Sequence, residues 1–161
     1  MTNYDIKKIE WNELVELSKK ISNDLKDENI KIDTLVPILR GGMVLSLLLT
    51  NYLDNVDTAS IHIKRSKSNL PNSEFGEAMF KGITNENAIH NKNILLVEDI
   101  IDKGYSLDLA IDKIKKYNPK KIYIATFYNF NNDKYRDVFS GKKYNDIVWI
   151  LFPWEVDING N

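Results

Sequence analysis

Apolar positions along this chain change period several times, and each change marks an element. From Trp11 to Asp27 the residues Trp11, Leu14, Leu17, Ile21 and Leu25 recur at three- and four-residue steps with lysines and acids between them. That predicts an amphipathic helix lying on a core. Thr34 to Leu39 (TLVPIL) is a short apolar run that stops at Arg40, Gly41 and Gly42, and Val44 to Leu53 follows as an almost wholly apolar segment. The predicted order is strand, glycine loop, buried helix. Pro37 argues against full pairing in a central strand, because it has no N–H for the ladder. Thr58 to Lys64 (TASIHIK) alternates, which predicts a half-buried strand with His62 on the face opposite Ile61 and Ile63.

Between Arg65 and Asn93 periodicity fades, with Pro71, Gly76, Gly82 and several asparagines and only scattered apolar residues. A stretch of that length in a compact domain is expected to be a lid, a binding loop or disordered. Ile94 to Val97 is a strand-like apolar run. From Tyr105 the residues Leu107, Ala110, Ile111, Ile114 and Tyr117 form a helical stripe that stops at Asn118 and Pro119. Lys121 to Phe127 (KIYIATF) predicts a further strand. A polar, asparagine-rich connection leads to a last one at Ile147 to Phe152 (IVWILF), ended by Pro153 and Trp154. Strands alternating with helices predict an α/β fold, a parallel sheet with helices on both faces and right-handed crossovers.

The bulk properties narrow the partners. The 161 residues, 43% hydrophobic, fit one domain over 1–161 with an ordinary core. A net charge of -1 argues against a generally basic nucleic-acid binder, so any anion must be met locally. No cysteine is present, which excludes disulfides and thiolate metal sites, and only His62 and His90 could supply imidazole. Both are expected on the surface. Without a signal-like start or a long apolar run, the expectation is a cytoplasmic protein with no membrane partner.

The densest chemistry lies in Ile94 to Leu107 (ILLVEDIIDKGYSL). A buried strand runs into the adjacent acids Glu98 and Asp99, then through Asp102, Lys103, Gly104, Tyr105 and Ser106 into a helix. In a parallel sheet ligands sit beyond the carboxyl ends of the strands, and a helix start there offers free N–H groups to an anion. Two carboxylates for hydroxyls beside a loop for a phosphate suit a ribose 5-phosphate.

LLVEDIIDKGYS resembles the signature of the type I phosphoribosyltransferase family, differing at one fixed position, where Lys103 replaces threonine. LRGGMV at 39–44 resembles the pyrophosphate loop of the 6-oxopurine branch. VWILFPWE at 148–155 resembles the C-terminal purine-binding segment of its bacterial xanthine-guanine type. The resemblance implies the fold of that family: a parallel sheet flanked by helices, a flexible lid at about 65–92, a small hood from the terminal segments and a base-binding segment at about 147–161. It implies transfer of a 5-phosphoribosyl group from phosphoribosyl pyrophosphate to a nucleobase, most naturally a 6-oxopurine in purine salvage, with Mg2+ and a homo-oligomer, dimer or tetramer.

Residue by residue, the resemblance implies that Glu98 and Asp99 take the ribose hydroxyls, directly or through the magnesium shell, with Glu155 joining that shell through water. Asp102 to Ser106 would cradle the 5-phosphate, and Asp102 matches the base toward the purine N7, although an N-cap role is the alternative. Leu39, Arg40, Gly41 and Gly42 would form the pyrophosphate loop, with a non-proline cis peptide near Leu39 and Arg40. Trp149 and Ile150 would flank the base, unless Trp149 is simply core. Two departures stand out. Where the xanthine-guanine type has a lysine for the purine 6-oxygen, Phe127, Tyr128, Asn129 and Phe130 stand, so that Asn129 is the candidate donor. Where the lid usually opens with Ser-Tyr, Ile63, Lys64, Arg65 and Ser66 stand, and Lys64 and Arg65 are either pyrophosphate-binding lid cations or solvated charges. Two alternatives remain: a different acceptor, or a regulator that senses phosphoribosyl pyrophosphate or a nucleotide without catalysis.

Overall fold

A computed structural model of the protein describes residues 5–65, 77–130, 133–146 and 148–155. In chain order the elements are β1 (Ile6–Lys8), α1 (Trp11–Asp27), β2 (Thr34–Leu39), α2 (Gly42–Leu49), β3 (Asp57–Thr58), β4 (Ser60–Arg65) and β5 (Ala78–Thr84). A 3-10 turn (Glu86–Ala88) leads to β6 (Asn93–Ile101), α3 (Tyr105–Lys115), β7 (Lys121–Asn129), β8 (Val138–Lys143) and β9 (Trp149–Leu151). The main sheet has the order β5-β4-β2-β6-β7-β8, with the short β3 also on β2. All its pairs are parallel except β4 with β5.

Side-chain alternation divides the core into two layers. Leu35 of β2, Leu95 and Val97 of β6 and Ala125 and Phe127 of β7 pack with Leu14, Ile21 and Leu25 of α1 and Leu45 and Leu49 of α2. On the other face Val36, Ile38, Ile94, Leu96 and Ile124 pack with Leu107, Ala110 and Ile114 of α3. The helix over Trp11–Asp27 follows its apolar stripe from end to end. The second helix is shorter than its apolar run and only partly buried, with Met43 52% and Leu47 69% exposed one turn apart. No helix among the described residues is long and apolar enough to cross a membrane.

Pro37 stands in a central strand that, as expected, is not fully paired. Its neighbour on β6 is Val97, while pairing on the other edge covers Thr34 and Leu35 with β3 and resumes only at Ile38 with β4. The proline therefore falls where that edge asks for no donor. Three expectations change. The stretch at 65–92 is not one loop: residues 66–76 lie outside the described set, but β5 returns antiparallel on β4 and the 3-10 turn follows. The polar connection after β7 holds an additional strand, β8, parallel to β7 without an intervening helix. The short link between Asn129 and Val138 leaves no room for one, so strands and helices do not alternate throughout. Finally, the last predicted strand does not join the main sheet. Trp149–Leu151 pairs with the unforeseen β1 in a two-stranded parallel sheet, forming the hood of the terminal segments.

Candidate functional site

The order of the strands locates the crevice. From β2 the chain crosses toward β4, and from β6 it crosses the opposite way toward β7, with α2 and α3 on opposite faces. Such a reversal leaves an opening beyond the strand ends. Pairing between β2 and β6 stops at Pro37 with Val97, whereas β6 stays paired to β7 through Ile101 and Asn129. Glu98 and Asp99 are therefore the first residues of β6 past the point where β2 departs.

Two loops meet in this opening. On the β2 side the Leu39–Arg40 peptide is cis, as expected, and Arg40 is exposed. A Cβ at Gly41 would lie 2.3 Å from Asp99 Oδ2, and one at Gly42 would lie 2.1 Å from the Val97 carbonyl oxygen. Only glycine allows this loop to touch the acidic strand end. On the β6 side Asp102 and Lys103 are exposed, and Gly104 at φ 79° is the N-cap of α3. No side chain caps that helix, so Asp102 is not its N-cap. The Tyr135 hydroxyl lies 2.9 Å from the Gly104 carbonyl oxygen and 2.8 Å from Asp108 Oδ1, bracing the turn from outside, with Lys134 paired to Asp108. Burial and the Asp108 hydrogen bond hold the Tyr135 phenol well above its usual range. Tyr135 lies in an aperiodic polar link and gave no sequence signal.

Electrostatics sets the acids apart from surface carboxylates. Burial raises Glu98 well above the ordinary carboxyl range, and the charge and hydrogen bond of Asp99 add to it, while Arg65 pulls it down. Burial also raises Asp99, against the Ile100 N–H, which donates to Asp99 Oδ1 at 2.8 Å, and against Glu98 and Arg65. A pair that resists double ionisation suits a divalent cation, whose charge would relieve both burial and repulsion. Among the described residues no group of three or more acid or histidine side chains could hold a metal by itself, so such a cation would share its shell with the ligand. Burial raises Glu155 too, Asp99 pushing the same way; its Oε2 accepts from the Phe152 N–H at 2.9 Å.

A carboxyl raised on folding favours the protonated folded state. Stability is then greatest below the ordinary value of 4.5 and falls as pH rises toward the folded value. Glu98→Gln is expected to raise the Tm of the ligand-free protein at about pH 8 and to lose that gain toward about pH 4. Thermal melts across that range read it; a gain that does not grow with pH sinks the assignment.

The other candidates are distributed unevenly. Arg65 Nε donates to Ser106 Oγ at 2.9 Å, and its guanidinium lies 6.0 Å from the centre of the exposed Tyr105 ring. Lys64, by alternation, is exposed on the opposite face of β4. Asn129 is 2% exposed and opposes Ile101, the residue before Asp102. Trp149 is half-buried and Ile150 buried in β9, where Lys7 of β1 opposes Ile150. Lys7 Nζ donates to Tyr144 Oη at 2.8 Å and lies 3.4 Å from Glu13 Oε1, which accepts from Tyr128 Oη at 3.0 Å. Trp154 stacks on Phe152 at 4.3 Å and meets Trp11 at 5.9 Å. These contacts seat the hood on the ends of β7 and β8. Glu13 and Tyr144 come from distant segments, and no spacing announces them.

The fold and the crevice define an α/β domain that places an acidic pair and an uncapped helix start together at its switch point. The chain belongs to the phosphoribosyl transferase domain family, whose model matches residues 3–160. Over 117 residues it is 32% identical to a hypoxanthine phosphoribosyltransferase of Buchnera aphidicola, covering 69% of this chain and 61% of that protein. It is 25% identical over 135 residues to a human phosphoribosyltransferase domain-containing protein 1, covering 78% and 59%. The chain thus spans about three fifths of the length of these curated relatives. Among solved structures, a Helicobacter pylori xanthine-guanine-hypoxanthine phosphoribosyltransferase superposes with a TM-score of 0.72 and 25% identity over 98% of this chain and 97% of that one. A purine phosphoribosyltransferase of Pyrococcus horikoshii shares the fold with a TM-score of 0.76 at 22% identity, over 94% and 95%.

Proposed function

We propose that this chain transfers a 5-phosphoribosyl group from phosphoribosyl pyrophosphate to a purine base, a 6-oxopurine, and releases pyrophosphate. The observation that carries this is the contact of the Arg40–Gly42 loop with the acidic pair, Gly41 lying directly against Asp99. A donor with its ribose on the acids then has its pyrophosphate at that loop. The named activities of the Buchnera and Helicobacter relatives support the acceptor class.

In this reaction the bond from ribose C1 to the pyrophosphate oxygen breaks and a bond from C1 to a purine nitrogen forms. Glu98 and Asp99 orient the ribose hydroxyls and would hold Mg2+, with Glu155 nearby. That ion supplies charge neutralisation for the leaving pyrophosphate. Arg40 and the main-chain N–H groups of Gly41 and Gly42 hold the same group. The start of α3, with Lys103, Gly104, Tyr105 and Ser106, binds the 5-phosphate through N–H groups and the macrodipole. Asp102 holds the proton lost by the attacking base. Trp149, Ile150 and Asn129 surround the base under the hood.

A pyrophosphate-release assay with Mg2+, phosphoribosyl pyrophosphate and hypoxanthine, guanine, xanthine, adenine, uracil or orotate tests this. Release with a 6-oxopurine is the expected result. Release with another base alone reassigns the acceptor, and donor binding without any release makes the chain a sensor. Association of copies, for which the exposed Met43 and Leu47 offer an apolar face, is read by light scattering.

A further inference from the structure

Arg65 ends β4, yet its hydrogen-bond partner Ser106 and its ring partner Tyr105 both belong to the first turn of α3. Alternation explains why: Arg65 shares the face of Ile61 and Ile63, which pack in the layer of Leu107 and Ala110. The Arg40–Gly42 loop instead leads into α2 on the other face. A guanidinium only donates. Ser106 Oγ is therefore the acceptor at 2.9 Å, and its own hydrogen must point to something else.

We propose that Arg65 serves the 5-phosphate end of the donor site, not the pyrophosphate end. As a positioning residue it turns the Ser106 hydroxyl into an outward donor, and it places a permanent charge beside the loop that carries Lys103 where the family signature has threonine. The assignment rests on the proposed reaction.

Ribose 5-phosphate and pyrophosphate each represent one end of the donor, so calorimetry with each alone, in the presence of Mg2+, separates the two. Arg65→Gln is expected to weaken ribose 5-phosphate about tenfold or more, the loss of a charge-assisted hydrogen bond, while pyrophosphate, which Arg65 reaches only through its charge on Glu98 and Asp99, changes far less. Combining it with Ser106→Ala should cost less than the product of the separate losses. Arg65→Lys, which keeps the charge and loses the fork, should restore only part of the affinity. A loss confined to pyrophosphate, equal losses for both ligands, or losses that multiply overturn the assignment. If the unaltered protein binds ribose 5-phosphate and Arg65→Gln binds it equally well, only the role of Arg65 fails. If the unaltered protein binds neither ligand, the proposed reaction fails and takes this role with it.

Discussion

Asp102→Ala is expected to lower kcat about 10²–10⁴-fold, the usual contribution of a positioned general base, while phosphoribosyl pyrophosphate affinity stays nearly unchanged. The residue follows the last ladder residue of β6, exposed at the mouth of the crevice, and its neighbour Ile101 opposes Asn129. Its most ordinary alternative task belongs to another residue, because α3 begins on Gly104 and has no side-chain cap. Alanine here should therefore leave the helix intact. Asp102→Asn keeps the shape and cannot take a proton, so it should share most of the loss in turnover. Pyrophosphate release gives kcat and calorimetry gives donor affinity. A fall in affinity as large as the fall in turnover would falsify the base assignment and make Asp102 a donor ligand.

The largest effect on stability is expected at Gly42. A methyl there would sit 2.1 Å from the Val97 carbonyl oxygen and 2.9 Å from the Val97 carbonyl carbon. Both are backbone of the central strand, so neither can rotate away. Gly42→Ala should cost about 3 kcal/mol, the upper part of the range for overpacked cores, and lower Tm by about 6–12 °C for a domain of this size. Gly41→Ala makes a useful contrast. Its methyl would meet the Asp99 carboxylate at 2.3 Å, a side chain that can swing aside, so that change should spare the fold and weaken donor binding. Thermal melts and calorimetry on the two variants separate these outcomes. A Gly42→Ala protein as stable as the unaltered one would show that α2 can lift off β6 without loss.

Much of this was visible in the order of residues because short-range patterns carry it. The apolar steps from Trp11 to Leu25 gave α1 within its observed bounds, and the alternation at Ile61, His62 and Ile63 gave β4 and its buried face. The strand-to-helix junction at Glu98 to Ser106 and the Arg-Gly-Gly loop were both found as motifs. Weaker patterns were lost. Val138–Lys143 contains Ser140, Gly141, Lys142 and Lys143, so its apolar content is too low to signal a strand, and only the edge of β7 makes it one. Ile6–Lys8 is three residues long and acquires its structure from Trp149–Leu151, far along the chain.

The sequence by itself determined which groups are present and their local setting: two adjacent acids at a strand end, a glycine-opened helix and an Arg-Gly-Gly turn. Those depend on period, propensity and turn chemistry within a few residues. Only the tertiary structure decided which of them face one another. The departure of β2 from β6 after Val97 opens the crevice, and the sterics of Gly41 and Gly42 bring one loop against Asp99. The alternation of β4 sends Arg65, and not Lys64, to Ser106. Contacts between residues dozens of positions apart are set by strand order and packing, which local patterns do not encode.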